Sequence, residues 1–171
     1  MKLHLLLWLL LVSLYACHDT ITIIKGCCED PPVVEKIGNA TIYVPNVFTP
    51  NGDQVHDKLV IYGDSVRQII HIEIRNKEGV IVYEQNNIPV NDHDTAWDGQ
   101  FGGNVVRGMY SFEMKVEALN RIVKLIKGKV CNCPCDQKAD EDFIPIRNCK
   151  FTPLDSLFYH PDQEYLPCFE Y

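Results

Sequence analysis

From about Asn39 onward, apolar and polar residues alternate with the two-residue period of half-buried β-strands. Thr41–Phe48, Lys58–Tyr62, Arg67–Arg75, Val80–Glu84, Val105–Val106, Gly108–Ala118 and Ile122–Val130 are the predicted strands. In the third, Ile70, Ile72 and Ile74 are expected on one face, with His71, Glu73 and Arg75 on the other. Asn76–Gly79 and Leu119–Arg121 have the composition of hairpin turns. No stretch before Cys131 carries a helical period. Short strands at this spacing over about 95 residues predict an all-β fold, an immunoglobulin-like antiparallel sandwich of about seven strands.

The composition changes on both sides of that pattern. Leu5–Leu14 is an apolar run of ten residues behind a single Lys2. It is too short for a bilayer core of about 30 Å, which takes about 20 residues, and has the form of a secretory signal. The run ends Leu14-Tyr15-Ala16-Cys17, which looks like a bacterial lipobox. Residues 1–16 are then a lipoprotein signal peptide, and Cys17 is the lipidated first residue of the mature chain. The alternative is an ordinary cleaved signal with Cys17 incidental. Residues 17–37 form a lipidated tether that holds the apolar run Ile21–Ile24 and a turn at Gly26–Pro32, 38–130 form the sandwich, and 131–171 form a tail.

Net charge is −7, and its distribution matters more than its size. Residues 37–130 carry 11 acidic and 10 basic side chains, whereas 131–171 carry 8 and 3. A balanced domain with an acidic tail excludes a nucleic-acid footprint. Besides Cys17 there are seven cysteines: Cys27, Cys28, Cys131, Cys133, Cys135, Cys149 and Cys168. In an exported chain these are disulfide candidates, and the odd number leaves at least one free or bonded to another chain. Cys131, Cys133 and Cys135 alternate, so all three would face one way, and they lack the spacing of a redox pair or a common zinc knuckle. The favoured arrangement ties Cys27 and Cys28 to two of the three and Cys149 to Cys168. A zinc site shared among them is the alternative.

Three stretches resemble one known family. The first is Pro45-Asn46-Val-Phe48-Thr49-Pro50-Asn51-Gly52-Asp53-Gln-Val-His-Asp57. The second, Ile74–Glu84, carries Asn76 and Gly79, with Lys77 and Glu78 where the family has Arg-Trp. The third, Trp97-Asp98-Gly99 through Gly108-Met-Tyr110, follows closely the family's Trp-Asp-Gly … Gly-x-Tyr pattern. In order and spacing these are similar to the gliding-motility-associated (type B sorting) domain carried at the C-terminus of proteins exported by the type IX secretion system. The resemblance covers about residues 40–130 and implies a sandwich. It also implies a place near secretion, gliding or surface adhesion machinery.

The tail departs from that family. It continues for 41 residues past the expected last strand and holds Phe143, Phe151, Phe158, Tyr159, Tyr165, Phe169 and Tyr171. With four prolines it is expected to be irregular, with at most one helical turn near Leu154–Tyr159. So many aromatics are unlike a free disordered tail and need a surface, either the sandwich or a partner.

The remaining constellations are weak. Asn51, Asp53 and Asp57 offer oxygens to a calcium ion, but Val55 interrupts the series, so capping of their own turn is favoured. Asp92-His93-Asp94 beside Trp97-Asp98 is expected to be a solvated loop next to a buried Trp. Ser65 and Ser111 have no visible triad partners, and His56, His71 and His160 have the look of turn or strand-face residues. No catalytic residue, metal or cofactor is expected beyond the lipid on Cys17. The chain is therefore expected to be an outer-membrane-anchored accessory lipoprotein, on the periplasmic or the cell-surface face. Its expected partner is an outer-membrane protein or a secretion or gliding subunit, in a hetero-oligomer. The alternative is secreted or displayed cargo, or an adhesin, carrying a type B sorting domain.

Overall fold

The computed structural model describes residues 30–52, 54–133 and 150–156. Among these, ten strands form: β1 (Val33–Ile37), β2 (Ala40–Val44), β3 (Val47–Phe48), β4 (Tyr62–Asp64), β5 (Val66–Arg75), β6 (Ile81–Ile88), β7 (Gln100–Phe101), β8 (Asn104–Val105), β9 (Gly108–Ala118) and β10 (Val123–Asn132). One sheet has the order β1-β2-β4, a second the order β3-β10-β9-β5-β6, and β7-β8 is a separate ribbon. Ile37, Ile42 and Val44 of the first sheet and Ile72, Met114 and Val130 of the second belong to one buried cluster. Each such aliphatic side chain contributes about 1.5–3 kcal/mol by leaving water.

The all-β expectation holds, with corrections to its detail. The predicted strand Thr41–Phe48 is two strands in different sheets. Pro45 lacks an N–H and Asn46 is buried, so the chain leaves β2 at this pair and enters β3 in the other sheet. There β3 runs parallel to β10, with Val47 opposite Cys131 and Phe48 opposite Asn132, so the second sheet is mixed rather than wholly antiparallel. Lys58–Tyr62 is not a strand. Leu59 makes one bridge to Trp97, and regular pairing begins only at Tyr62.

The expected face of β5 is also out of phase at its start. Ile69, not Ile70, is buried with Ile72 and Ile74. Ile69 sits opposite Val116 but His71 sits opposite Lys115, which makes Ile70 the extra residue of a bulge. A bulge shifts the alternation by one, so a strictly two-residue reading misplaces everything before it.

The first sheet starts before the expected limit at residue 38. β1 pairs with β2 from Val33↔Val44 to Ile37↔Ala40. It also lies close to β10, where a Cβ on Gly128 would come within 2.6 Å of Val33 and of Phe112. Lys124 pairs with Glu35 at 2.6 Å and Lys129 with Asp30 at 2.9 Å across the same edge. These exposed pairs are worth about 0–1 kcal/mol each, so the close packing at Gly128 fixes the edge more firmly than charge does.

The two predicted hairpin turns are present. The Gly79 N–H donates to the Asn76 carbonyl at 2.9 Å, and Asn76 Oδ1 accepts from the N–H groups of Glu78 and Val80. The Arg121 N–H donates to the Ala118 carbonyl at 2.9 Å. Among the described residues of the tail, a helical turn falls at Pro153–Ser156, as a 3₁₀ turn.

Candidate functional site

The opening motif folds as a corner fastened by Asp57. Its Oδ1 accepts from the N–H groups of Asn51 (2.9 Å) and Gly52 (2.8 Å), and its Oδ2 from that of Gln54 (2.7 Å). This is the turn-capping arrangement, and it engages both carboxylate oxygens that a calcium ion would need. Asp53 lies outside the described residues. Among the described residues no group of three or more His, Cys, Asp or Glu is placed to hold a metal. Thr49 is fully buried, and its N–H donates to the His56 carbonyl at 2.8 Å, which closes the corner.

Behind the corner, Phe48 rests on Trp97, with ring centroids 5.3 Å apart, and Trp97 meets Tyr110 edge-on at 5.0 Å. Trp97 is 3% exposed, and its Nε1–H donates to the Gln100 carbonyl at 3.1 Å. All three of its ring neighbours, Phe48, Tyr83 and Tyr110, stand on the five-stranded sheet. Its backbone meets Leu59, on the lead into β4 of the other sheet. Asp98 Oδ1 accepts from the Gln100 N–H at 3.0 Å, and the Tyr110 hydroxyl donates to the Val106 carbonyl at 2.7 Å. Gly108 has room for a Cβ, with Tyr110 at 3.8 Å, so its constraint is its φ of +154°.

The loop holding Asp92, His93 and Asp94 is a self-capped turn. Asp92 accepts from the Asp94 N–H and from the Thr95 hydroxyl, the latter at 2.7 Å. The Thr95 hydroxyl, followed by the Asp94 N–H, holds the Asp92 carboxyl below its ordinary range. The Tyr83 hydroxyl donates to the Thr95 carbonyl, and burial, then Asp92 and Asp98, push its pKa up to about 12. His71 lies on the outer face of β5, with Nδ1 3.0 Å from Asn86 Oδ1. These contacts hold loops and a strand face together.

Of the cysteines, Cys131 and Cys133 lie in the described part. Cys131 is fully buried and Cys133 half-buried. Cys17, Cys27, Cys28, Cys135, Cys149 and Cys168 fall outside it, as do the signal segment and most of the tail.

Two asparagines absent from the charge- and metal-based readings organise the site. Asn132 Nδ2–H donates to the carbonyls of Gly99 (3.0 Å) and Val106 (2.9 Å), joining the end of β10 to the Trp97-Asp98-Gly99 loop. Asn46 is 3% exposed and holds three segments at once. Its Nδ2–H donates to the Asp30 carbonyl (2.9 Å), its carbonyl accepts from the Cys131 N–H (2.8 Å), and its Oδ1 accepts from the Lys150 N–H (2.7 Å). Only the position of Asn46 in the opening motif hinted at this, since a buried Asn is recognised by its partners and those are distant in sequence.

Residues 42–126 match the family model of the type IX secretion signal domain, CHU_C. This domain belongs to that family. No curated protein and no solved structure matches the chain. The chain is thus associated with type IX secretion through its signal domain. The match stops short of β1, of the end of β10 with Asn132, and of the tail residues seated on Asn46. The signal domain's opening corner is therefore finished by residues from outside the matched segment.

Proposed function

We propose that the chain is an outer-membrane-anchored accessory lipoprotein, a protein-binding and structural component of type IX secretion, gliding or surface adhesion machinery. Residues 1–16 are its signal peptide, Cys17 carries the lipid, and 17–37 form a tether whose last residues enter the first sheet. The domain is an immunoglobulin-like sandwich that acts as a binding module. It needs no cofactor and performs no catalysis. Support for the immunoglobulin-like assignment comes from two sheets sharing one core and from the buried Trp97. The observation that carries the accessory role is the aromatic tail. It extends past the matched domain, and its residues Lys150 and Phe151 lie on the opening motif.

Disulfides tie the tail to the tether and to itself. Cys131 supports this reading by its position, fully buried at the end of β10 where the tail begins. The cargo reading has its own support, because the matched family is a secretion signal domain. Fatty-acid labelling and membrane fractionation of Cys17→Ala test the anchor, and purification of the wild type from membranes tests the partner. The proposal expects labelling and membrane residence to be lost in the variant, and a stoichiometric outer-membrane partner to accompany the wild type. Release of the wild-type chain to the medium without lipid would establish the cargo reading instead.

A further inference from the structure

Asn46 satisfies both backbone polar groups of one tail residue. Its Oδ1 accepts from the Lys150 N–H at 2.7 Å, and its own N–H donates to the Lys150 carbonyl at 3.3 Å. This pairing reads backbone and is indifferent to the side chain at position 150. The next residue supplies the side-chain contact: the Phe151 ring stacks on His56 with centroids 4.6 Å apart and planes 22° apart. Phe151 also walls a depression of about 220 Å³ floored by Pro45, Val47, Phe48, Val60 and Tyr62. The Asn46 side chain is prepared for this role. It is buried, and its other amide group is fixed on the Asp30 carbonyl.

A pre-set backbone clamp beside an aromatic slot is the chemistry by which extended peptides are recognised. We propose that the opening corner is a binding site for an extended peptide with an aromatic side chain, and that Lys150 and Phe151 of the same chain occupy it as a displaceable strap. Tethering gives the strap a high effective concentration, so an outside peptide docks only when the strap yields. The inference depends neither on lipidation nor on which secretion role the chain plays.

The test uses the full mature chain, wild type and Phe151→Ala, with amide hydrogen exchange read at Lys150. It adds a labelled synthetic peptide of residues 148–155 carrying Cys149→Ser. Protection at Lys150 is expected in the wild type, with a loss of about tenfold or more in Phe151→Ala. The peptide is expected to bind the variant about tenfold more tightly than the wild type, whose own strap competes. A peptide that also carries Phe151→Ala is expected to bind neither protein. Lys150→Pro, which removes the clamped N–H, is expected to free the site in the same way should Phe151→Ala fail to fold. An unprotected Lys150 amide in the wild type would overturn the proposal, as would peptide binding that is equal for both proteins or absent from both. Protection that appears only as the chain dimerises would assign the strap to a second copy and overturn occupation in cis.

Discussion

The side-chain amide of Asn132 lies directly against Gly99: Nδ2–H donates to the Gly99 carbonyl at 3.0 Å, and a Cβ built on Gly99 would stand 2.5 Å from that same nitrogen. The Trp-Asp-Gly loop therefore keeps its glycine for two reasons, a φ of +78° and the approach of a strand end that the family match does not reach.

Gly99→Ala is expected to be distinctly more destabilising than Gly52→Ala. Gly52 shares a positive φ of +85°, but nothing lies within 4 Å of its added Cβ. The left-handed conformation alone costs about 1–2 kcal/mol for an L-residue, and overpacking adds about 1–3 kcal/mol at Gly99 only. Denaturant midpoints of the two variants measure the difference. Equal losses would mean that Asn132 moves aside at no cost.

Trp97→Ala removes a ring that is 3% exposed and packed on Phe48 and Tyr110. The expected loss is about 3–5 kcal/mol in equilibrium unfolding. A loss below about 1 kcal/mol would place the ring at the surface.

Asp57→Ala strands the N–H groups of Asn51, Gly52 and Gln54 at a partly exposed corner, where water replaces part of what is lost. The expected cost is about 1–3 kcal/mol, with faster exchange confined to residues 49–57. Global loss of exchange protection would show that the corner nucleates the whole domain.

The all-β class, both hairpin turns and the capping of the Asp57 corner were legible in the sequence, because each depends on neighbours in the chain. What the sequence did not disclose depends on distant partners. The bulge at Ile70 exists only relative to β9, so periodicity placed Ile70 in the core where Ile69 belongs. β6 runs through Gln85, Asn86 and Asn87 because β5 supplies its pairing, although propensity ends the strand at Glu84. Val33–Ile37 follows Pro31-Pro32 in a stretch read as a tether, and only register with β2 makes it a strand. The roles of Asn46 and Asn132 rest on contacts 104 and 33 residues away.

Tyr83 supplies a test at high pH. Its folded pKa is raised from 10.0 to about 12, first by burial and then by Asp92 and Asp98. The neutral phenol is thus favoured in the folded state. Its stabilisation is complete below pH 10.0, the ordinary value, and is lost as pH rises through about 12. Spectroscopic titration is expected to show Tyr83 ionising only near the upper end of that range. Replacement by Phe is expected to flatten the decline in stability across it. An unchanged decline would move the cause to other tyrosines, of which Tyr110 is also raised by burial.

The last prediction concerns where the domain ends. The strand pattern places the boundary of the domain at residue 130. The structure puts Val130, Cys131 and Asn132 at or near zero exposure, inside β10. The Cys131 N–H donates to the Asn46 carbonyl at 2.8 Å, the Cys133 N–H donates to the Phe48 carbonyl at 3.0 Å, and Asn132 bonds Gly99 and Val106. A cut after Lys129 therefore removes the whole partner of β3 and exposes the Trp97 loop. It is expected to abolish cooperative unfolding. A cut after Cys133 keeps β3 paired and removes the strap with the rest of the tail. That chain is expected to stay folded and to lose about 1–3 kcal/mol, the worth of the Asn46–Lys150 pair and the Phe151 stack together. Thermal unfolding of the two truncations separates these outcomes. A chain ending at Lys129 that melts like one ending at Cys133 would show that the parallel β3–β10 pairing contributes nothing to the fold.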